Sequence, residues 1–343
     1  MPYAFVPATL ILAVVSTAFS QTAEPKPAKD ERLSRDRQDA SPVIAGRKAA
    51  ARLTEEQAKN QQPHSSDRAD VEDPKSASQP QGGKEDGKAS EFPAPPKGFD
   101  SGRDDVAKGK LETIEYDSKT VGLKRKAQVY TPPGISRDQK YPVLYLLHGI
   151  GGDEYEWTRG GAANVILDNL YADKKAVPMI VVLANGRASK DLTPRDPIPR
   201  QSPAFAAFEK DLLEDLIPFI EKTYPAKCDR ESRALAGLSM GGGQSLNFGL
   251  AHLDTFAWVG GFSSAPNTKR ADELVKDPAD AKKKLKLLWV SCGDRDGLMR
   301  ISRGFHEALE EKQIPHVWHV ASGGHDFRVW KADLYHFAPL LFR

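Results

Sequence analysis

The sequence predicts a three-layer α/β sandwich, a mostly parallel sheet with antiparallel N-terminal strands and helices on both faces. Three observations lead there. Two alternating segments open the folded region, unalternated apolar runs follow them, and helical patterns fall between those runs. With 343 residues, 39% of them hydrophobic and 28% charged, one sizeable core is enough to account for the chain.

Taken in order, residues 1–20 are uncharged, with the apolar stretch Leu10–Val15 and small residues at Ala18 and Ser20 before Gln21. That pattern predicts a cleaved signal peptide, hence a secreted or periplasmic protein and no membrane association unless the segment stays uncleaved. Residues 21–102 read as a disordered linker. Pro, Ala, Ser, Gln and charged residues dominate it, and Phe92 is the only aromatic between Gln21 and Gly98, too little apolar surface to offset ordering entropy. Residues 103–343 form the folded domain. Leu111–Tyr116 and Lys124–Tyr130 alternate as a half-exposed hairpin does. The runs Val143–Leu147, Met179–Leu183, Leu235–Leu238, Phe256–Val259, Leu287–Val290 and His316–Val320 are short and continuous, as strands buried on both faces are. Helices are expected over Phe208–Tyr224, where Leu212, Leu213, Leu216, Ile217 and Ile220 share a stripe, and over Gly242–His252 and Ile301–Gln313. The Pro- and Arg-rich stretch Arg187–Ala206 follows a strand and is expected to wall a ligand site as a loop.

Net charge is +2, from 49 basic and 47 acidic residues, which gives no electrostatic reason to expect nucleic acid as a partner. Cys228 precedes one parallel strand and Cys292 ends another, so they fall at opposite edges of the sheet and two free thiols are expected.

The chemistry concentrates at Gly237-Leu238-Ser239-Met240-Gly241, between a buried strand and a helical stretch. By chance such a string turns up in about one chain of this size in ten; the strand–turn–helix setting is what makes Ser239 the candidate nucleophile. The turn needs small neighbours, and the helix N-terminus aims its free N–H groups at a developing oxyanion. His148-Gly149-Ile150-Gly151-Gly152 directly follows the first buried strand, which makes the backbone N–H groups of Met240 and Ile150 the expected oxyanion hole. His148 itself reads as structural. Of His306, His316, His319, His325 and His336, only His325 lies on a loop just past a strand, where it can serve as general base. The orienting acid should come from Cys292-Gly293-Asp294-Arg295-Asp296-Gly297; Asp296, deeper in the loop, is favoured over Asp294, which caps the turn or pairs with Arg295. There is no His-Glu-x-x-His and no Cys-x-x-Cys, so neither metal nor other cofactor is expected.

Together, Leu144–Gly152, Gly237–Gly242, Cys292–Asp296 and Gly323–Phe327 resemble the esterase group of α/β hydrolases. Within it they are similar to carbohydrate esterase family 1, the feruloyl and acetyl-xylan esterases, with the likeness running from about Leu111 to Phe342. The resemblance implies a serine carboxylic-ester hydrolase acting on a small-molecule or polysaccharide ester through an acyl-serine intermediate, with Asp296 as its acid. It also implies Trp157 near the cleft, where a core aromatic beneath the oxyanion loop is the equal alternative. A siderophore-type or other small-ester esterase, and a non-catalytic binding protein on the same scaffold, are the competing readings.

Overall fold

The computed structural model describes residues 92–343. The expected export segment and most of the expected linker, residues 1–91, lie outside the described residues. Among the described residues no helix is long and apolar enough to cross a membrane.

Eight strands form one sheet: β1 (Lys110–Ser118), β2 (Leu123–Thr131), β3 (Val143–Leu147), β4 (Ile180–Ala184), β5 (Arg233–Leu238), β6 (Trp258–Phe262), β7 (Leu287–Gly293) and β8 (Val317–Ala321). Their order across the sheet is β1-β2-β4-β3-β5-β6-β7-β8. The hairpin β1–β2 pairs antiparallel from Lys110 opposite Thr131 to Ser118 opposite Leu123, and β2 is antiparallel to β4. From β4 to β8 every pairing is parallel. The helices are α1 (Glu156–Arg159), α2 (Ala163–Ala172), α3 (Ile198–Asp211), α4 (Ile217–Thr223), α5 (Ser239–Ala251), α6 (Ala271–Leu274), α7 (Pro278–Lys284), α8 (Met299–Glu311) and α9 (Phe327–Phe337).

Strand β3 shows why the fold has three layers. All five of its side chains are buried, as an unalternated apolar run requires when both faces are covered. Val143, Tyr145 and Leu147 enter one core with Phe208 and Leu212 beside them, Leu246 of α5 and Phe305 and Leu309 of α8. Leu144 and Leu146 enter the other, with Ile166, Leu167 and Leu170 of α2 and Val329, Leu334 and Phe337 of α9. Each such leucine taken out of water contributes about 1.5–3 kcal/mol.

Four expectations shift. The strand expected from Phe256 runs over Trp258–Phe262, because Gly260 and Gly261 continue the strand instead of ending it. The helix expected from Phe208 begins at Ile198, so part of the expected loop is helical. Pro199 falls within the first turn, where its missing N–H has no helical partner to lose, and the exposed Pro203 leaves its lost bond to solvent. The same helix contains a π-turn at Leu212–Leu216 before α4. Finally, residues 92–102 belong to the folded body: the Phe92 ring lies 5.1 Å from Trp289 and 5.0 Å from His336, and Phe99 lies 5.2 Å from Tyr335. Two aromatics, together with Asn169 Nδ2 donating to Phe99 O and Ser101 O at 2.9 Å, dock a segment whose average composition reads as linker. Cys228 is exposed and Cys292 buried, both free.

Candidate active site

Strand order places the site. Leaving β3 the chain turns one way to β4, and β5 is laid on the other side of β3, so a crevice opens at the carboxyl ends of β3 and β5. Leu147 pairs with Gly237 there, setting the loop after β3 against the turn after β5. Similarly Gly293 pairs with Ala321, bringing the loops after β7 and β8 together.

Ser239 is the first residue of α5 and is held at φ +52°, a left-handed conformation that strains a non-glycine residue. Its neighbours explain how the chain tolerates it. A Cβ on Gly237 would lie 2.6 Å from the Gly241 backbone, and one on Gly241 would lie 2.5 Å from the His148 carbonyl. Only glycine at both positions lets strand, turn and helix close this tightly. The serine side chain emerges at the crevice, where Ser239 Oγ and His325 Nε2 are 3.0 Å apart. His325 Nδ1 is 2.9 Å from Asp296 Oδ2, and Asp296 Oδ1 accepts the Leu298 N–H at 2.8 Å. The Asp296 side chain is fully buried, while His325 keeps its edge in solvent.

Of the two acids in this loop, Asp294 lies away from the imidazole. It is exposed, accepts the Gly323 N–H at 2.8 Å and sits 3.5 Å from Arg295. Its own N–H donates to Ala321 O at 2.8 Å, so Asp294 laces the β7 loop to the β8 loop. It braces the loop that carries His325.

The loop after β3 is tied from both sides. Glu156 Oε2 accepts the Gly149 N–H at 2.8 Å; burial pushes the Glu156 carboxyl up and this bond opposes the shift. Arg187, only 4% exposed, donates from Nη2 to Ile150 O at 2.8 Å and to Gly152 O at 3.0 Å, and from Nε to Gln201 Oε1 at 2.7 Å. Arg125 in turn donates to the Arg187 carbonyl at 3.0 Å and pairs with the buried Asp211 at the end of α3. His148 is structural: its Nδ1–H donates to Gly149 O at 2.6 Å and its Nε2 accepts the Gly186 N–H at 2.9 Å. Burial lowers its pKa to about 4, so it stays neutral in that tautomer.

Trp157 departs from the cleft expectation. It is 1% exposed, donates its indole N–H to Leu147 O at 2.9 Å and packs edge-on against Phe262 and Phe327. With no free surface it underlies the loop rather than lining the crevice. Ile150 and Met240 instead form a small apolar cluster with Phe205, Ala265 and Leu298, separate from both cores and beside the serine.

Three contributors escape sequence reading. Glu156 and Arg187 act on the β3 loop through contacts that no spacing rule encodes. Trp330 of α9 stands edge-on to the His325 ring, 4.8 Å between centroids at 90°, and anchors its own N–H on Ser263 Oγ at 3.1 Å. The near-neighbour Trp330, five residues past the histidine, was the one with a usable signal.

The chain is 35% identical over 261 residues to an endo-1,4-beta-xylanase/feruloyl esterase of Xylanibacter ruminicola, covering 74% of this chain and 34% of that protein. This chain therefore spans about a third of the length of that relative. An acetyl esterase of Caldicellulosiruptor saccharolyticus is 25% identical, over 55% of this chain and 78% of its own length. Among solved structures, a ferulic acid esterase of Anaeromyces mucronatus superposes with a TM-score of 0.66 at 26% identity, over 74% of this chain and 98% of its own. The family described as "Putative esterase" matches residues 118–340, a span that takes in β2 to the end of α9 and with it Ser239, Asp296 and His325, and the chain belongs to that family of α/β hydrolases.

Proposed function

We propose that this protein is a secreted serine carboxylic-ester hydrolase that removes a feruloyl or acetyl group from a xylan-type carbohydrate. The observation that carries the reading is the unbroken relay Ser239–His325–Asp296, at 3.0 and 2.9 Å. His325 Nε2 takes the Ser239 proton as Oγ attacks the ester carbonyl, then returns it to the leaving alcohol; water repeats the sequence on the acyl-serine. Asp296, held by the Leu298 N–H, keeps the proton on Nδ1 and stabilises the imidazolium.

The oxyanion falls to the N–H groups of Met240 and Ile150. Met240 lies in the first turn of α5, where amides have no partner within the helix. Gly149 gives its own N–H to Glu156, and the Gly149 carbonyl, which opposes the Ile150 N–H in the same peptide plane, is held by His148 Nδ1–H; both bonds support the Ile150 N–H as the second donor. Ile150, Met240 and Leu298 supply apolar surface suited to an aromatic acyl group. No cofactor enters this chemistry. The carbohydrate part of the reading rests on relatives named as feruloyl and acetyl esterases. Export rests on the apolar N-terminal segment, with cleavage before Gln21 as part of the reading.

A fluorophosphonate probe should label the native chain and leave Ser239→Ala unlabelled; labelling that persists in the variant would remove Ser239 from its role. Turnover of feruloylated against acetylated xylo-oligosaccharides then assigns the acyl group.

A further inference from the structure

A second cluster of chemically competent side chains lies at the opposite end of α8 and β8 from the catalytic loops. His306 and Glu310 are one turn apart on α8, and His316 immediately precedes β8. His306 Nδ1 and His316 Nε2 are 2.7 Å apart, and one ring nitrogen from each histidine and a carboxylate oxygen of Glu310 all lie within 4.8 Å of one another. We propose that His306, Glu310 and His316 form a binding site for a late first-row divalent cation, Zn²⁺ foremost, that ties the end of α8 to the start of β8.

The arrangement resembles a ligand set more than a surface hydrogen bond, for two independent reasons. First, His316 Nδ1–H donates to Ile314 O at 2.7 Å, which fixes the tautomer and aims the Nε2 lone pair at the cluster. A ligating histidine is held by just such a bond from its other ring nitrogen. Second, the His306 ring is stacked on Trp318, 4.9 Å between centroids at 8°, so its Nδ1 is fixed in direction too. Two imidazoles and one carboxylate are the donors that Zn²⁺ takes when it keeps one position open for water. Tetrahedral coordination at about 2.0–2.1 Å separates two nitrogens by about 3.3 Å, so the pair opens by roughly half an ångström on binding. With His316 in that tautomer, His306 Nδ1–H donates to His316 Nε2 in the metal-free pair. Binding moves that proton to His306 Nε2, leaving both facing lone pairs free and the charge balance unchanged apart from the cation. Glu310 is exposed, which gives the ion its way in.

The consequence for the fold follows from connectivity. Helix α8 starts three residues after Asp296, and β8 leads into the loop that carries His325. A cation joining their far ends stiffens the frame that sets the spacing of acid and base without touching either.

Titrating the full chain with Co²⁺ should produce visible d–d absorption of a four-coordinate site at one equivalent, displaced by Zn²⁺. His316→Gln should abolish the band while leaving ester turnover within about twofold, and Glu310→Gln should weaken Co²⁺ binding at least tenfold. Zn²⁺ should raise the Tm of the native chain and of neither variant. An absent band overturns the proposal, and so does one unchanged in both variants, since the chain's other histidines would then be the ligands. Glu310 is exposed and its change to Gln is isosteric, so that variant decides the matter even if His316→Gln fails to fold.

Discussion

At the scale of single residues, the distinction that matters most is between the two aspartates of the β7 loop. Both are within two residues of each other, yet one is buried against His325 and the other exposed against the Gly323 amide. Asp296→Asn should lower kcat by about four orders of magnitude, because the amide stabilises the wrong imidazole tautomer and carries no charge. Asp294→Asn retains an acceptor oxygen for Gly323 and should remain within about tenfold of native turnover, since a brace of this kind is worth roughly 1 kcal/mol. Equal losses in the two variants would mean that the acid had been misassigned. The sequence already favoured Asp296 by its depth in the loop. Trp157 was legible only as an aromatic near the oxyanion loop, because nothing in its spacing says whether the indole points to solvent or to the Leu147 carbonyl.

At the scale of elements, the β3 loop is held by other parts of the fold rather than by its own residues. Arg187, from the segment after β4, grips the carbonyls on both sides of Gly151, and Arg125 of β2 grips the backbone of Arg187. Truncating Arg187 to Ala frees two carbonyls and lets the Ile150 amide drift. The expected result is a 10- to 100-fold loss of kcat, on the scale of a slightly misplaced oxyanion donor, with a smaller change in KM. A purely substrate-binding role would move KM instead, and steady-state kinetics separates the two. The sequence reads this segment as a loop because it follows the carboxyl end of a strand. It became the start of α3 because prolines in a first turn cost a helix little, and Gln201 of that helix then receives the Arg187 Nε–H.

For the molecule as a whole, two features give testable stability effects. The docked segment 92–102 packs Phe92 and Phe99 against the core on the α2 and α9 side and gives Asp100 to an ion pair with Lys331. A chain starting at residue 103 should therefore unfold at lower urea than one starting at residue 91, by about 2–4 kcal/mol given that both rings are half-buried. The second feature is Asp333 of α9, fully buried beside Ser291, where burial pushes its carboxyl up to about 8. An unfolded aspartate titrates near 3.9. Below about pH 4 both states hold the proton and there is no penalty. Between about pH 4 and pH 8 the unfolded chain releases it while the folded chain retains it, so stability falls across that window and levels off above it. Asp333→Asn should flatten this dependence in urea titrations at pH 5 and pH 8; an unaltered slope would assign the effect to another group.

The sequence by itself determined the layer architecture and singled out Ser239, Asp296 and His325 in that chain order. Each of these is written locally: burial on both faces leaves an unalternated run, a strained elbow demands glycine on both sides of Ser239, and acid and base follow their strands in order. It could not reveal the brace of Arg187 on the β3 loop, the burial of Trp157, the docking of Phe92 or the meeting of His306, Glu310 and His316. Those depend on which distant residues the sheet order β4-β3-β5 and β7-β8 makes neighbours, and side-chain direction in three dimensions has no period along a chain.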